Sequence, residues 1–212
     1  MKVSAIRAIA QGALVASLVV CFGTGGRAVF AQQADPPIRQ QVAETGVFER
    51  IIVTTDHPLQ VADLVAHADL IVEASTSGGR SYLNAAGTDI YTDYTFNVHS
   101  VIKSQGSPEP RDGTVMTVRR ESGEVIVDGH AAVSYENGFP AFNADEHYIL
   151  FLTQEPSENV YVVFGGPQGA FSADELATAL AIPSTDGIDP PQPVSRATFM
   201  DEVRALLKFS LN

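Results

Sequence analysis

The five histidines are the residues best suited to metal binding or acid–base chemistry. None of them has a metal-binding spacing such as His-Glu-x-x-His. Asp145 and His147 stand two residues apart where a strand is predicted to begin, so their side chains would share one face and could hold a cation. The competing interpretation is a polar start to an otherwise apolar strand. Asp145 and His147 are therefore the candidate metal ligands of this sequence.

Nucleophile and phosphate-loop patterns give no convincing enzyme site. The Gly-x-Ser-x-Gly pattern is absent, and residues 165–169 are glycine-rich but lack the Lys-Ser/Thr of a phosphate loop. Ser100 and Lys103 match Ser-x-x-Lys, but they end an alternating run typical of a strand, where penicillin-recognising enzymes need a helix. We predict no cofactor and a non-catalytic protein. The alternative is an envelope hydrolase in which His99, His147 and carboxylates meet only in the folded chain.

Two aromatic residues are the candidate ligand-binding residues. Tyr91 and Phe139 lie near predicted loops, where exposed rings could stack on a sugar or a peptide. Tyr94, Phe96 and Phe142 are expected in the core. Core packing is also the competing interpretation for the whole aromatic group.

The charge balance excludes one class of partner. The chain has 212 residues, with 13 Lys+Arg against 25 Asp+Glu and a formal net charge of −12. Nucleic-acid binding needs a basic surface, so we predict no nucleic-acid partner. With 45% hydrophobic residues the chain can bury a core, and a single cysteine excludes a disulfide scaffold. The expected partner is an unidentified protein or saccharide.

Residues 1–31 have the layout of a secretory signal peptide. Lys2 and Arg7 precede an apolar stretch over residues 8–23, and Ala31 ends a small-residue cleavage pattern. We predict cleavage after Ala31, a periplasmic or secreted mature protein and no membrane span within it. Two alternatives are an uncleaved anchor and a lipoprotein acylated at Cys21.

The remaining pattern is mainly β. We predict a flexible lead at 32–46, a β-barrel domain at 47–172 with a short helix at 58–67, and a short helix with a Pro-rich linker at 173–194. The helix of that linker region is expected to begin at residue 172 and run to 181. The clearest strands of the barrel domain are predicted by the alternating run at 90–103 and the apolar run at 147–153. An amphipathic helix at 195–212, capped by Thr198, is expected to dock on the barrel.

The order of these segments along the chain is similar to that in a known group of proteins. The resemblance is carried by seven segments and the last helix. The segments are residues 68–72, 91–98, 101–103, 115–119, 138–142, 148–152 and 161–171, and the helix contains Phe199 and residues 203–207. The chain resembles exported bacterial proteins of unassigned function whose small barrel is similar to the netrin or tissue-inhibitor type of oligonucleotide/oligosaccharide-binding (OB) fold. The resemblance implies a small, closed or partly open antiparallel OB-like barrel. Many netrin-type modules use disulfides, which this mature chain lacks, so inhibitor function does not carry over.

Overall fold

The computed structural model describes residues 36–53, 58–105, 110–155, 157–174, 176–179 and 194–210, and the predicted signal peptide lies outside these ranges. The fold is mainly β, as predicted. The helices are α1 (Ile38–Thr45), α2 (Val61–His67) and α3 (Arg196–Ser210), with a 3₁₀ turn at Gly166–Gly169. The strands are β1 (Phe48–Ile52), β2 (Leu70–Leu83), β3 (Ile90–Ser104), β4 (Val115–Arg120), β5 (Gly123–Val127), β6 (His130–Glu136), β7 (His147–Glu155), β8 (Val160–Val163), β9 (Ala170–Ala173), β10 (Leu176–Ala179) and β11 (Val194–Ser195).

The larger sheet contains a ring of strands. Its order is β11-β10-β9-β7-β2-β3-β4-β8, and β8 also pairs with β7. The strands β7, β2, β3, β4 and β8 therefore follow one another around a ring, with β4 and β8 parallel and the other pairs antiparallel. Three register shifts between β2 and β3 let these long strands curve, because each bulge bends and twists its strand.

The interior of the ring is an aromatic core. Phe142 lies edge-to-face against Phe96 at 5.2 Å and against Tyr148 at 5.0 Å between ring centroids. Tyr94 and Val98 are buried on the same face of β3 as Phe96, as the alternation predicted. The opposite face of β3 therefore lies on the exterior of the ring.

Helix α3 docks on the outside of this sheet, which confirms the prediction for the C-terminal helix. Phe199 and Val203 are buried, and the Phe199 ring lies 4.5 Å from the ring of Phe171 and 6.4 Å from that of Phe151. The predicted cap was one turn too late. The helix begins at Arg196, and the Ser195 hydroxyl accepts the Thr198 amide hydrogen at 3.1 Å.

A second, smaller sheet has the order β1-β6-β5, with β1 and β6 parallel. Its inner face packs against α1 through Phe48, Val127 and Ala132. The prediction of a flexible lead up to residue 46 is wrong for residues 38–45, which form α1. Ile38 and Val42 stand one helical turn apart and are both buried, and Gly46 ends the helix in the left-handed conformation with φ 77°.

The predicted helix at 172–181 is also wrong in its described part. Residues 172–173 belong to β9 and residues 176–179 form β10. Phe171 and Ala173 are buried at alternate positions, and β9 continues the sheet by pairing with β7. The short helix expected from residue 58 does form, but it begins at Val61. Within the described ranges, no helix is long and apolar enough to cross a membrane.

Candidate functional site

Two tyrosines face each other on the outer side of the ring. Tyr82 on β2 is the register partner of Tyr91 on β3, and their rings meet edge-to-face with centroids 6.2 Å apart. Both side chains are half-buried. The sequence singled out Tyr91 but not Tyr82 as a ligand residue, because the hairpin register that places them side by side has no local signal.

Arg119 on β4 fixes the position of both rings. Its Nε and Nη2 donate to the two carboxylate oxygens of Asp93 at 2.7 and 3.0 Å, and its Nη1 donates to Glu158. The guanidinium carbon lies 5.6 Å from the Tyr82 ring centroid and 5.3 Å from that of Tyr91. A bidentate arginine–carboxylate pair is geometrically specific, and the attraction between a guanidinium and an aromatic face adds to it. We call the surface formed by Tyr82, Tyr91, Asp93, Arg119 and Glu158 the tyrosine face.

The protonation states on the tyrosine face are firmly set. Burial, the hydrogen bond from its hydroxyl to Asp93 at 3.0 Å and the charge of that carboxylate raise the pKa of Tyr82 to about 12. Burial also raises the pKa of Tyr91. The hydrogen bonds to Asp93 are the main reason why the pKa of Arg119 lies above its ordinary value. At neutral pH the face therefore presents two neutral phenols beside an arginine whose charge is matched by two carboxylates.

A cleft of about 250 Å³ adjoins the tyrosine face, because Arg119 belongs to both. It lies at the C-terminal ends of β1, β4, β6 and β8. Its lining consists of Ile52, Arg119, Arg120, Glu121, Glu136, Phe139, Val162, Val163 and Gly166.

Arg120 is the buried charge of this cleft, with a side chain only 3% exposed. It forms an ion pair with Glu136 at 3.3 Å and donates to the Phe139 carbonyl at 2.7 Å. Burial lowers the pKa of Arg120, while Glu136 opposes that shift. At the exposed rim, partial loss of hydration and the nearby Asp89 and Glu136 raise the pKa of Glu121 despite the opposing charge of Arg50. The interior of the cleft is thus a structural ion pair, and its rim is acidic.

Phe139 is buried, so its ring does not offer the exposed stacking surface that we expected from the sequence. It is only 5% exposed, and the Arg120 guanidinium carbon lies 3.5 Å from its ring centroid. Gly138, with φ 76°, turns the chain so that the Phe139 ring points inward and contacts Phe142 at 5.6 Å. The sequence could not show this, because the contact depends on an arginine that precedes it by nineteen residues along the chain.

Asp145 and His147 do not form the expected pair on one strand face. The strand begins at His147, and Asp145 lies in the preceding turn with φ 65°, donating its amide hydrogen to the Thr76 carbonyl. His147 is exposed and stacks on His99 with ring centroids 4.9 Å apart. In the part of the chain that the structure describes, no group of three or more His, Cys, Asp or Glu residues could hold a metal ion.

The meeting of His99 and His147 bears on the hydrolase alternative. The two rings do come together, as that alternative requires, and His99 Nε2 lies 2.9 Å from the Ser75 hydroxyl. A catalytic serine–histidine pair also needs a third group that orients the imidazole. The described contacts of His99 are a hydroxyl and a second imidazole on an exposed sheet face. The hydrolase alternative also requires a carboxylate close to a histidine, and the described contacts of His99 do not include one.

No known protein family matches the chain, and a comparison with curated proteins found no match either. The proposed function therefore follows from the geometry of the site.

Proposed function

We propose that the chain is an exported, non-catalytic binding module of the bacterial envelope, which binds a saccharide on the tyrosine face. The observation that carries this proposal is the pair of half-buried tyrosine rings held beside Arg119 and Asp93. Aromatic rings with polar tips combine an apolar contact surface with hydrogen bonding. An aromatic ring whose position is fixed before binding loses little conformational entropy when the ligand binds.

The charges of the tyrosine face favour a neutral ligand. Arg119 is already paired with Asp93 and Glu158, so it attracts an additional anion only weakly. The chain as a whole carries a formal net charge of −12, which repels phosphate-rich ligands at a distance. Sugar hydroxyls, by contrast, can donate to the carboxylates of Asp93 and Glu158 and accept from the Tyr91 hydroxyl without bringing a charge, while the Tyr82 hydroxyl keeps its bond to Asp93.

The order of the strands supports this choice of surface. OB barrels have five strands and bind oligonucleotides or oligosaccharides on the face of their second and third strands, flanked by particular loops. Starting the ring at β2, the second and third strands are β3 and β4, which carry Tyr91 and Arg119. The β7–β8 turn supplies Glu158, and the acidic chain disfavours the oligonucleotide. The OB-like assignment and the bacterial origin belong to this proposal.

A glycan array probed with the mature chain tests the proposal, followed by calorimetry on the saccharide that binds best. Tyr91→Ala should weaken that binding at least about tenfold, because a central aromatic contact is lost. Tyr135→Ala is the matched control, since Tyr135 is an exposed tyrosine on the smaller sheet and its loss should leave saccharide affinity unchanged. Equal binding by the Tyr91→Ala variant, or binding of peptides and no saccharide, would contradict the proposal.

A further inference from the structure

Exposed apolar side chains concentrate on the outer face of the smaller sheet. Among the described residues, eight large hydrophobic side chains are exposed, and five of them lie on or beside β1, β5 and β6. These five are Val47, Ile51, Val53, Ile126 and Tyr135. A cluster of exposed apolar side chains on one face usually marks an interaction site. The inner face of the same sheet is occupied by α1, so the clustering is specific to the outer face.

The register orders this face into rows. Ile51 lies directly beside Tyr135, which forms an apolar row. Two residues earlier along β1, Glu49 is the partner of Val133, and Val133 is also the partner of Glu124 on β5. This second row therefore has a carboxylate on each side of a central valine.

A third row completes the pattern. Ala131 on β6 is the partner of Ile126 on β5, and Val47 precedes β1 on the same side of the sheet. Successive rows are two residues apart along the strands, so they alternate as apolar, acidic and apolar. We call this surface the row face; it consists of the three rows, Val47, Glu49, Ile51, Glu124, Ile126, Ala131, Val133 and Tyr135, together with the exposed Val53 just after β1.

The charges of the row face are of one sign. The outward residues of β1, β5 and β6 include Glu49 and Glu124, and no lysine or arginine is among them. Glu49 accepts the Tyr135 hydroxyl hydrogen at 2.7 Å, and this bond fixes the carboxylate next to the apolar row. A partner that covers the apolar rows must bring positive charge to the acidic row, because a carboxylate covered without a cation is strongly penalised.

We propose that the row face binds an extended, basic segment of a partner protein, with apolar, basic and apolar side chains at alternate positions. An extended segment fits because its alternate side chains repeat at the spacing of the rows. A second copy of this chain is the less favourable occupant, since it would bring the same carboxylates and a formal net charge of −12 to the interface. This surface is separate from the tyrosine face and does not depend on saccharide binding.

The test uses two synthetic peptides and the full chain. The first is acetyl-Thr-Val-Thr-Lys-Thr-Val-Thr-amide, and the second has Glu in place of Lys. Binding is followed by NMR chemical-shift changes in the protein during titration. The lysine peptide should shift the row-face resonances and bind at least about tenfold more tightly than the glutamate peptide at low salt. Added salt should reduce the difference between the two peptides.

Variants make the test specific. The Glu49→Lys, Glu124→Lys double variant should reverse the preference, and Ile51→Ser should weaken binding of the lysine peptide. Val115→Ser is the matched control, because Val115 is an exposed aliphatic residue on β4, outside the row face, with 63% exposure against 53% for Ile51. Circular dichroism confirms that each variant is folded. Equal binding of both peptides, no binding of either, or a concentration-dependent dimer abolished by Ile51→Ser would overturn the proposal.

Discussion

Replacing Phe199 by alanine tests how the C-terminal helix is held. Phe199 is only 3% exposed and packs against the rings of Phe171 and Phe151 on the outside of the larger sheet. Removing a buried phenylalanine side chain costs about 3–5 kcal/mol, through lost transfer free energy and the cavity left behind. Because alanine is the better helix former, the substitution returns a few tenths of a kcal/mol. We expect a net loss of about 2.5–4.5 kcal/mol in the free energy of unfolding.

The same helix supplies the control. Phe209 is 81% exposed, so Phe209→Ala removes the same atoms from a position that buries almost none of them. We expect its free energy of unfolding to stay within about 0.5 kcal/mol of the original chain. Both variants replace phenylalanine by alanine in the same helix, so the changes in composition and helix propensity cancel when their unfolding free energies are compared. The remaining difference reports the docking contact of Phe199.

Urea denaturation followed by circular dichroism measures both variants. The slope of the unfolding free energy against urea should stay unchanged, which shows that the midpoint shift reports stability. If Phe199→Ala were as stable as Phe209→Ala, α3 would not be held on the sheet by this contact. The helix would then have to be treated as an element that binds a partner.

Three further predictions concern the ion pair, the tyrosine face and export. Arg120→Met should lower the free energy of unfolding by about 3–5 kcal/mol, because it removes the buried cation beside Glu136. Urea denaturation measures this loss, and an unchanged midpoint would contradict the prediction. The pKa of Tyr82 is about 12 in the folded chain against an ordinary value of 10.0, so the unfolded chain loses this proton first as pH rises. Its contribution to stability is therefore complete below about pH 10 and is lost between about pH 10 and 12, a loss that Tyr82→Phe should reduce in denaturation series at those pH values. Mass spectrometry of the exported protein should find a chain that begins at Gln32, and a chain that begins at an acylated Cys21 would replace this prediction.

Local patterns predicted the elements that are buried on a regular face. The alternation over residues 90–103 identified β3, and the apolar run after His147 identified β7, because both strands have a core on at least one side. The stripe of Phe199 and Val203 likewise predicted the docked helix α3. Such patterns are visible in the sequence because burial is periodic within one element.

The same reasoning was wrong where burial depends on partners far along the chain. Helix α1 is held by Val127 and Ala132 of the smaller sheet, which come much later in the chain, so its polar sequence looked like a flexible lead. Residues 172–173 and 176–179 are strands because they extend a sheet that already includes β7. In both cases tertiary contacts outweigh a weak local preference.

The mainly β character, the exterior helix and the acidic charge of the chain could all be predicted from the sequence, because composition and periodicity carry that information. Which chemical groups meet depends on the tertiary structure. The register of β2 with β3 brings Tyr82 to Tyr91, and the pairing of β3 with β4 brings Arg119 to Asp93. The turn after β6 buries Phe139 beneath Arg120, and β2 lies between the strands whose histidines stack. These contacts join residues on different strands and turns, and their positions follow from strand register, which no single segment specifies.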